Sequence, residues 1–266
     1  SFGENGIVTT DIDEEHFKSL LLQNDGKIIV VGFSNIDIYY RVTIVRYLSD
    51  GSLDTTFGNN GIVITDIGDE YNQVFSSLLQ DDGKILVTAR VENENYINTI
   101  IMIRYLSDGS LDPSFGIDGI VKTDITANSV YTSITQDENG KILATANTSN
   151  SLETTILRRY LQDGSLDPTF GDNGEIQISN LEYVPIKIVF QDSEHLFLFG
   201  NIWGFEVGEF VLKRFFLDGT IDSSFGVNGM VNAPFQGSDV IFQNDGKILG
   251  TGFTFWFNGP ENFVIV

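Results

Sequence analysis

The sequence predicts an all-β fold, a five-bladed β-propeller in which each blade is a four-stranded antiparallel sheet. Three observations support this prediction. One segment recurs at a nearly constant spacing, each period contains four short apolar runs of strand length, and glycine-containing turn signals separate those runs. A repeat of this kind means that each unit buries its apolar surface against its neighbours.

The recurring segment is clearest at 46–61, where it reads RYLSDGSLDTTFGNNG. It returns at 104–119, 159–174 and 214–229, and its tail, SFGENG, opens the sequence at 1–6. The phenylalanine-glycine pairs within it are spaced by 55, 58, 55 and 55 residues. Their glycines are Gly3, Gly58, Gly116, Gly171 and Gly226.

Four short apolar runs fill the first period and are labelled strands A to D. They are Phe17–Gln23, Lys27–Ser34, Arg41–Leu48 and Gly61–Ile67. Their β-branched and aromatic residues favour strands. The A–B connection contains Asp25-Gly26, a hairpin signal because glycine accepts a positive φ. Similar turns follow in later periods, except at Ser193-Glu194-His195 in the fourth.

The repeat places the blades at about 16–67, 73–125, 129–179, 183–233 and 237–266, all within a single domain spanning 1–266. The last blade contains strands A, B and most of C only. We predict that Gly6–Ile12 supplies its D strand by pairing beside Phe263–Val266. This pairing would close the ring and cover two sheet edges.

The pattern QxDGKI…RYxxDGSLDxxFGxxG resembles the delta-60 repeat family of bacterial β-propellers over essentially the whole chain, and the build is similar to that of NHL-type propellers. The resemblance implies a secreted or surface-displayed protein, often part of a larger protein whose sorting domain engages an export machinery. It implies no catalytic residues that can be transferred to this sequence.

The composition narrows the range of partners. Asp and Glu number 37 against 15 Lys and Arg, which gives a formal charge of −22. Such a field repels nucleic acid and anionic membranes, and no apolar run reaches the roughly 18 residues of a membrane span. Cysteine is absent from the sequence, which excludes disulfides and thiolate metal sites. No cofactor is expected, because each glycine-rich segment is accounted for by a turn.

Residues that recur in every period are expected to serve the scaffold. Each repeated arginine is expected to pair with an aspartate of the following loop, as in Arg46 with Asp54, because a guanidinium suits bidentate pairing with a carboxylate. Calcium bound by the loop aspartates is the alternative, although the loop lacks the alternating oxygens of a calcium-binding loop. The other pairs are Arg104 with Asp112, Arg159 with Asp167 and Arg214 with Asp222.

A second recurring row is polar and lies four residues before the glutamine that ends each A strand. If strand A is innermost, this row lines a central channel, where Lys187 and Asp239 would pair across adjacent blades. The row consists of Ser19, Ser76, Thr132, Lys187 and Asp239.

Non-repeated residues concentrate in the B–C and D–A connections, which share one end of each blade, here called the variable face. They combine carboxylates with large aromatic side chains, a combination that suits sugar rings or protein partners. With the channel pair, the candidate ligand-binding residues are Trp203, Phe205, Glu206, Trp256, Phe257, Tyr39, Tyr40, Tyr96, Lys187 and Asp239.

These observations predict a non-enzymatic, secreted or cell-surface binding or adhesion module, with glycans as candidate ligands of the variable face. A structural or protein-docking domain of a larger exported protein is the first alternative. A glycosidase with carboxylates at the channel mouth, Asp239 among them, is the second. His16 and His195 lie at opposite ends of their blades, which argues against a two-histidine metal site.

Overall fold

The computed structural model describes residues 2–12, 15–36, 39–67, 71–92, 98–123, 129–148, 154–178, 184–192, 194–202, 208–243, 247–254 and 262–265. The chain divides into two compact units. The first comprises 1–131 with 162–165, and the second comprises 132–161 with 166–266. The single domain expected from the sequence stays a prediction.

The described residues form nineteen strands in five sheets, and each sheet is antiparallel with its strands in sequence order. The strands of the first unit's sheets are β1 (Glu15–Leu22), β2 (Ile28–Ile36), β3 (Tyr39–Tyr47), β4 (Ile62–Thr65), β5 (Tyr71–Leu79), β6 (Ile85–Glu92), β7 (Asn98–Tyr105) and β8 (Ile120–Thr123).

The remaining strands are β9 (Ser129–Gln136), β10 (Ile142–Thr148), β11 (Thr155–Tyr160), β12 (Glu175–Ile178), β13 (Val184–Phe190), β14 (His195–Ile202), β15 (Glu209–Phe216), β16 (Met230–Ala233), β17 (Gln236–Phe242), β18 (Ile248–Thr254) and β19 (Asn262–Ile265). Four sheets have four strands, and the sheet of β17–β19 has three. The predicted all-β class and the four-stranded antiparallel repeat are therefore confirmed.

The closed ring is not confirmed. Glu4 and Ile7 form an isolated bridge, residues 8–12 are not part of a strand, and the sheet of β17–β19 has no fourth member among the described residues. The predicted pairing of Gly6–Ile12 with Phe263–Val266 is thus absent from the described sheets.

A β-bulge in the A strand is a feature that the sequence analysis missed. In β1, Phe17 pairs with Gly32 and Ser19 pairs with Val31, which leaves Lys18 as the extra residue. The bulge returns at the same place in β5, β13 and β17. At the bulge the backbones of β1 and β2 lie close together. A Cβ added to Gly32 of β2 would lie only 2.3 Å from the carbonyl oxygen of His16 in β1.

The apolar core lies between successive sheets within each unit. Ile29 and Val31 of β2 belong to the same cluster as Ile85 and Val87 of β6, and all four are fully buried. Two further clusters lie in the second unit, one between the third and fourth sheets and the other between the fourth and fifth. The fourth sheet contributes Phe197 and Phe199 to the last of these.

The Phe-Gly loops of the first and second repeats contact the Asp-Gly turn of the next repeat. Gly58 donates its backbone N–H to the carbonyl oxygen of Asp108 at 2.8 Å, and Gly116 donates in the same way to Asp163. A Cβ on Gly109 would meet Val63 and Phe57 within 3 Å, so the glycine of the following sheet's turn is required by this close packing. The loop is therefore a joint between sheets as well as a turn.

We expect Phe115→Ala to lower the free energy of unfolding by about 3–5 kcal/mol, because the Phe115 side chain is fully buried in this joint. Ile117 lies two residues further along the same loop and is 81% exposed. Ile117→Ala is the matched control and should change stability by less than about 0.5 kcal/mol. Urea unfolding of the two variants measures the difference. Equal losses of unfolding free energy would contradict the prediction that Phe115 stabilises the contact between sheets.

Candidate functional site

The repeated Arg–Asp pair is present, although the guanidinium donates to one carboxylate oxygen and not to both as the bidentate prediction required. Arg46 Nε donates to Asp54 Oδ2 at 2.9 Å, and both side chains are buried. The other carboxylate oxygen of Asp54 accepts hydrogen bonds from the backbone N–H and the hydroxyl of Thr56, at 3.1 and 2.6 Å. The Arg46 guanidinium lies 4.4 Å from the centre of the Phe57 ring. We call this arrangement the latch.

Each of the four full repeats contains the latch. The Arg Nε to Asp Oδ2 distance is 2.8 Å for Arg104–Asp112, 2.8 Å for Arg159–Asp167 and 2.7 Å for Arg214–Asp222. A serine or threonine two residues after the aspartate donates to it in every copy, and a phenylalanine ring lies beneath each guanidinium. Four equal copies indicate a scaffold role.

A lysine immediately before the B strand completes the latch, and the sequence analysis did not identify it. Lys27 Nζ lies 3.3 Å from Asp54 Oδ2, and Lys141 Nζ lies 2.8 Å from Asp167 Oδ2. The recurrence of Gly-Lys-Ile at four of the five A–B turns was the available signal. In the fourth repeat His195 takes the place of this lysine, with its Nε2 at 3.6 Å from Asp222 Oδ2.

The latch also reaches the following sheet. Arg46 Nη1 donates to the carbonyl oxygen of Ser107 at 2.5 Å, and Arg104 Nη1 donates to that of Gln162. One arginine therefore holds its own loop through the carboxylate and the next loop through a backbone carbonyl. This double use explains why arginine rather than lysine recurs here, since only the guanidinium presents several donors in a fixed fork.

Burial raises the pKa of Asp54, but the hydrogen bonds from Thr56, the charge of Arg46 and the hydrogen bond from Lys27 outweigh it and lower the pKa from 3.8 to about 2. The oxygens of Asp54 are engaged by these donors. In the same loop Asp50 Oδ1 accepts the backbone N–H and hydroxyl of Ser52, at 2.9 and 2.6 Å. The described ranges contain no group of three or more Asp, Glu, His or Cys side chains arranged to hold a metal ion.

The predicted pair in the channel row is present within the second unit. Lys187 Nζ donates to Asp239 Oδ1 at 2.5 Å and to the carbonyl oxygen of Val240 at 3.2 Å. Both side chains are partly exposed. In the first unit Ser19 bonds to Ser77 rather than to its row equivalent Ser76, with 2.7 Å between the hydroxyl oxygens. The Thr132 side chain lies outside the described set.

Most candidate residues of the variable face lie outside the described residues, namely Tyr96, Trp203, Phe205, Glu206, Trp256 and Phe257. Tyr39 and Tyr40 are described and begin β3 at the variable-face end of the first sheet.

Tyr39 and Tyr40 point into different environments. The Arg41 guanidinium lies 5.0 Å from the centre of the Tyr39 ring and 3.3 Å from Asp66, whose side chain is 64% exposed. Tyr40 meets Phe33 edge to face, with 5.5 Å between ring centres. An aromatic face, a guanidinium and an exposed carboxylate thus stand together at this end of the first sheet.

The described part of the chain contains no helix with the length and apolar character needed to cross a membrane. A family model described as a domain of unknown function (DUF5122) beta-propeller matches residues 23–57, 80–115 and 138–170. No curated protein matches the sequence. The matched segments lie in the first three repeats, which are therefore similar to β-propeller repeats.

Solved structures support the same fold. A protein of unknown function from Bacteroides caccae is similar with a TM-score of 0.56 at 12% identity, over 90% of this chain and 71% of that chain. One of unknown function from Dyadobacter fermentans gives a TM-score of 0.57 at 11% identity, over 92% of this chain and 74% of that chain. These similarities show the fold alone.

We expect Asp54→Asn to lower the free energy of unfolding by about 3 kcal/mol at neutral pH, because the buried Arg46 guanidinium loses its counter-charge. Asp50→Asn makes the same chemical change four residues earlier, at an exposed turn position whose acceptor oxygen an asparagine retains. This control should leave stability nearly unchanged. Urea unfolding of both variants is the measurement, and similar losses would contradict the latch as the source of the effect.

The same pair predicts a pH dependence. Folding lowers the pKa of Asp54, so its contribution to stability is present above about pH 4 and is lost as the pH falls through about 2. The stability difference between the wild type and Asp54→Asn should therefore shrink as the pH is lowered from about 4 to 2. Unfolding curves at a series of pH values test this, and a constant difference would contradict it.

Proposed function

We propose that this chain is a non-enzymatic binding or adhesion module, secreted or displayed at a cell surface, that takes its ligand on the variable face. The observation that carries the proposal is the use of the repeated charged groups. Their carboxylates and guanidinium groups are engaged with each other in the latches. The chemistry that is free to distinguish a partner therefore lies among the residues that do not repeat.

The resemblance to delta-60 repeats supports the extracellular placement, and the charge of −22 disfavours polyanionic partners. The ligand class that we propose is a neutral glycan. The grouping of Tyr39, Arg41 and Asp66 supports it, since an aromatic face stacks on the C–H side of a sugar while the charged groups hydrogen-bond its hydroxyls.

A glycan array with intrinsic tryptophan fluorescence tests this function. We expect a saturable response that Trp203→Ala or Trp256→Ala abolishes, because these are the two tryptophans of the sequence and both belong to the variable face. Phe216→Ala is the control, an aromatic truncation at the opposite end of its sheet, where the side chain is 39% exposed. If no glycan on the array binds and the tryptophan fluorescence does not change, glycan binding is contradicted and a structural or protein-docking role is favoured.

We further propose that the five sheets close into a ring, with the last sheet covering the first. The uncovered apolar side chains of the first sheet support this. Leu20 and Leu22 of β1 are 67% and 65% exposed, whereas Ile188 and Val240, the equivalents of Leu20 in later sheets, are 1% exposed. Within the second unit the preceding sheet covers both equivalents, and in a ring the sheet that precedes the first is the last.

Ring closure predicts that Leu22→Ala lowers the free energy of unfolding by about 2–3 kcal/mol, as for a leucine packed at an interface between sheets. An open chain would leave this side chain in solvent, and the same substitution would then be nearly neutral. Urea unfolding of Leu22→Ala beside the exposed control Ile117→Ala distinguishes the two cases.

A further inference from the structure

We propose that the first sheet contains a docking site, here called the socket, for a phenylalanine-glycine segment. The chain's own segment Phe2–Thr10 occupies the socket reversibly, so that another copy of the segment can replace it. The socket is formed by Tyr47, Asp50 and Gly51. The ligand to which we commit is a separate copy of the same segment, and this inference holds whatever the variable face binds.

Three contacts join the segment to the socket. Gly3 donates its backbone N–H to the carbonyl oxygen of Asp50 at 2.7 Å, and the hydroxyl oxygens of Thr10 and Tyr47 lie 2.6 Å apart. The side chains of Phe2 and Val8 pack so tightly over Gly51 that a Cβ there would lie 2.5 Å from Val8 Cγ2. Recognition therefore combines a backbone hydrogen bond, a hydroxyl pair and close apolar packing.

The same contacts recur where the chain is continuous between sheets. Gly58 bonds to Asp108 as Gly3 bonds to Asp50, and Thr65 bonds to Tyr105 at 2.7 Å as Thr10 bonds to Tyr47. Val63 and Phe57 pack over Gly109 as Val8 and Phe2 pack over Gly51. The N-terminal segment thus occupies, at the first sheet, the position that residues 57–65 have at the second sheet.

The segment is also organised by its own hydrogen bonds. Glu4 and Ile7 exchange two backbone hydrogen bonds, at 2.9 and 3.0 Å, and Gly6 donates to the carbonyl oxygen of Phe2 at 3.0 Å. A turn of this kind is preorganised for binding, so less ordering entropy opposes its association as a free peptide. None of the contacts with the socket depends on the peptide bonds that continue to β1.

The experiment uses the full chain carrying Gly3→Ala. Gly3 has a φ of +50°, and an added Cβ would lie 2.2 Å from the carbonyl oxygen of Ile7. We therefore expect this substitution to displace the chain's own segment from the socket. A synthetic peptide of residues 1–12 should then bind in trans and raise the melting temperature of the variant. The wild-type chain should bind the peptide at least about tenfold more weakly, because its own segment competes at high effective concentration.

Two control peptides fix the position of binding. The peptide with Gly3→Ala should bind the variant chain about tenfold or more weakly, because a non-glycine residue at this φ costs about 1–2 kcal/mol. The peptide with Glu4→Gln should bind as the unchanged peptide does, since the Glu4 side chain is exposed. Equal affinity of the peptide for wild-type and variant chains, or no binding to the folded variant, would overturn the proposal.

If the Gly3→Ala chain does not fold, Thr10→Val replaces it, because that substitution removes only the hydrogen bond to Tyr47. This chain should still bind the unchanged peptide more tightly than the wild type does. Size-exclusion chromatography of the variants gives a second readout. Dimers of the wild type that the peptide dissociates would support exchange of the segment between two copies, and dimers that resist the peptide would contradict it.

Discussion

The buried pairing of one arginine with one aspartate is the interaction on which the rest of the fold depends. A buried guanidinium and carboxylate are costly unless each is fully hydrogen-bonded. Here Asp54 is surrounded by Arg46, Thr56 and Lys27, and Arg46 in turn donates to the next sheet through the carbonyl oxygen of Ser107. Because the same atoms hold a loop and a joint between sheets, the loop sequence cannot vary freely, and this explains why it is the most regular part of the repeat.

The latches also determine how charge is distributed over the molecule. Four arginines serve them, with Lys27, Lys141 and also Lys84, whose Nζ lies 4.0 Å from Asp112 Oδ2. These are seven of the 15 basic residues in the sequence. Eight basic residues then remain for all other positions. The acidic residues outside the latches therefore dominate the field that an approaching partner meets, and this field disfavours polyanions while admitting neutral sugars and basic proteins.

Much of the fold could be predicted from the sequence because its signals are local and repeated. Strand length, the Asp-Gly turns and the Arg46–Asp54 pair each follow from residue types at fixed spacing. The β-bulge at Lys18 could not be found in this way. One added residue interrupts the alternation of side chains, but a strand of eight residues is too short for the pattern on either side to reveal the interruption. Its signal was the small residue opposite, Gly32 and its equivalent Gly252, whose role becomes evident only when the backbone contact is known. Lys27 was missed because its partner Asp54 lies far along the chain.

The candidate site was less predictable than the fold for a physical reason. A residue that every blade needs is visible by comparing copies, and its partner is another repeated residue. A residue used by one blade has no second copy with which to compare it, so its role depends on neighbours that sequence spacing does not fix. Tyr39 illustrates this, since its companion Arg41 lies on the same strand whereas Asp66 follows the end of β4, 27 positions further along the sequence. A rigid latched frame allows such residues to change without loss of the fold, which is the condition under which a repeat protein can acquire a specific ligand on one face.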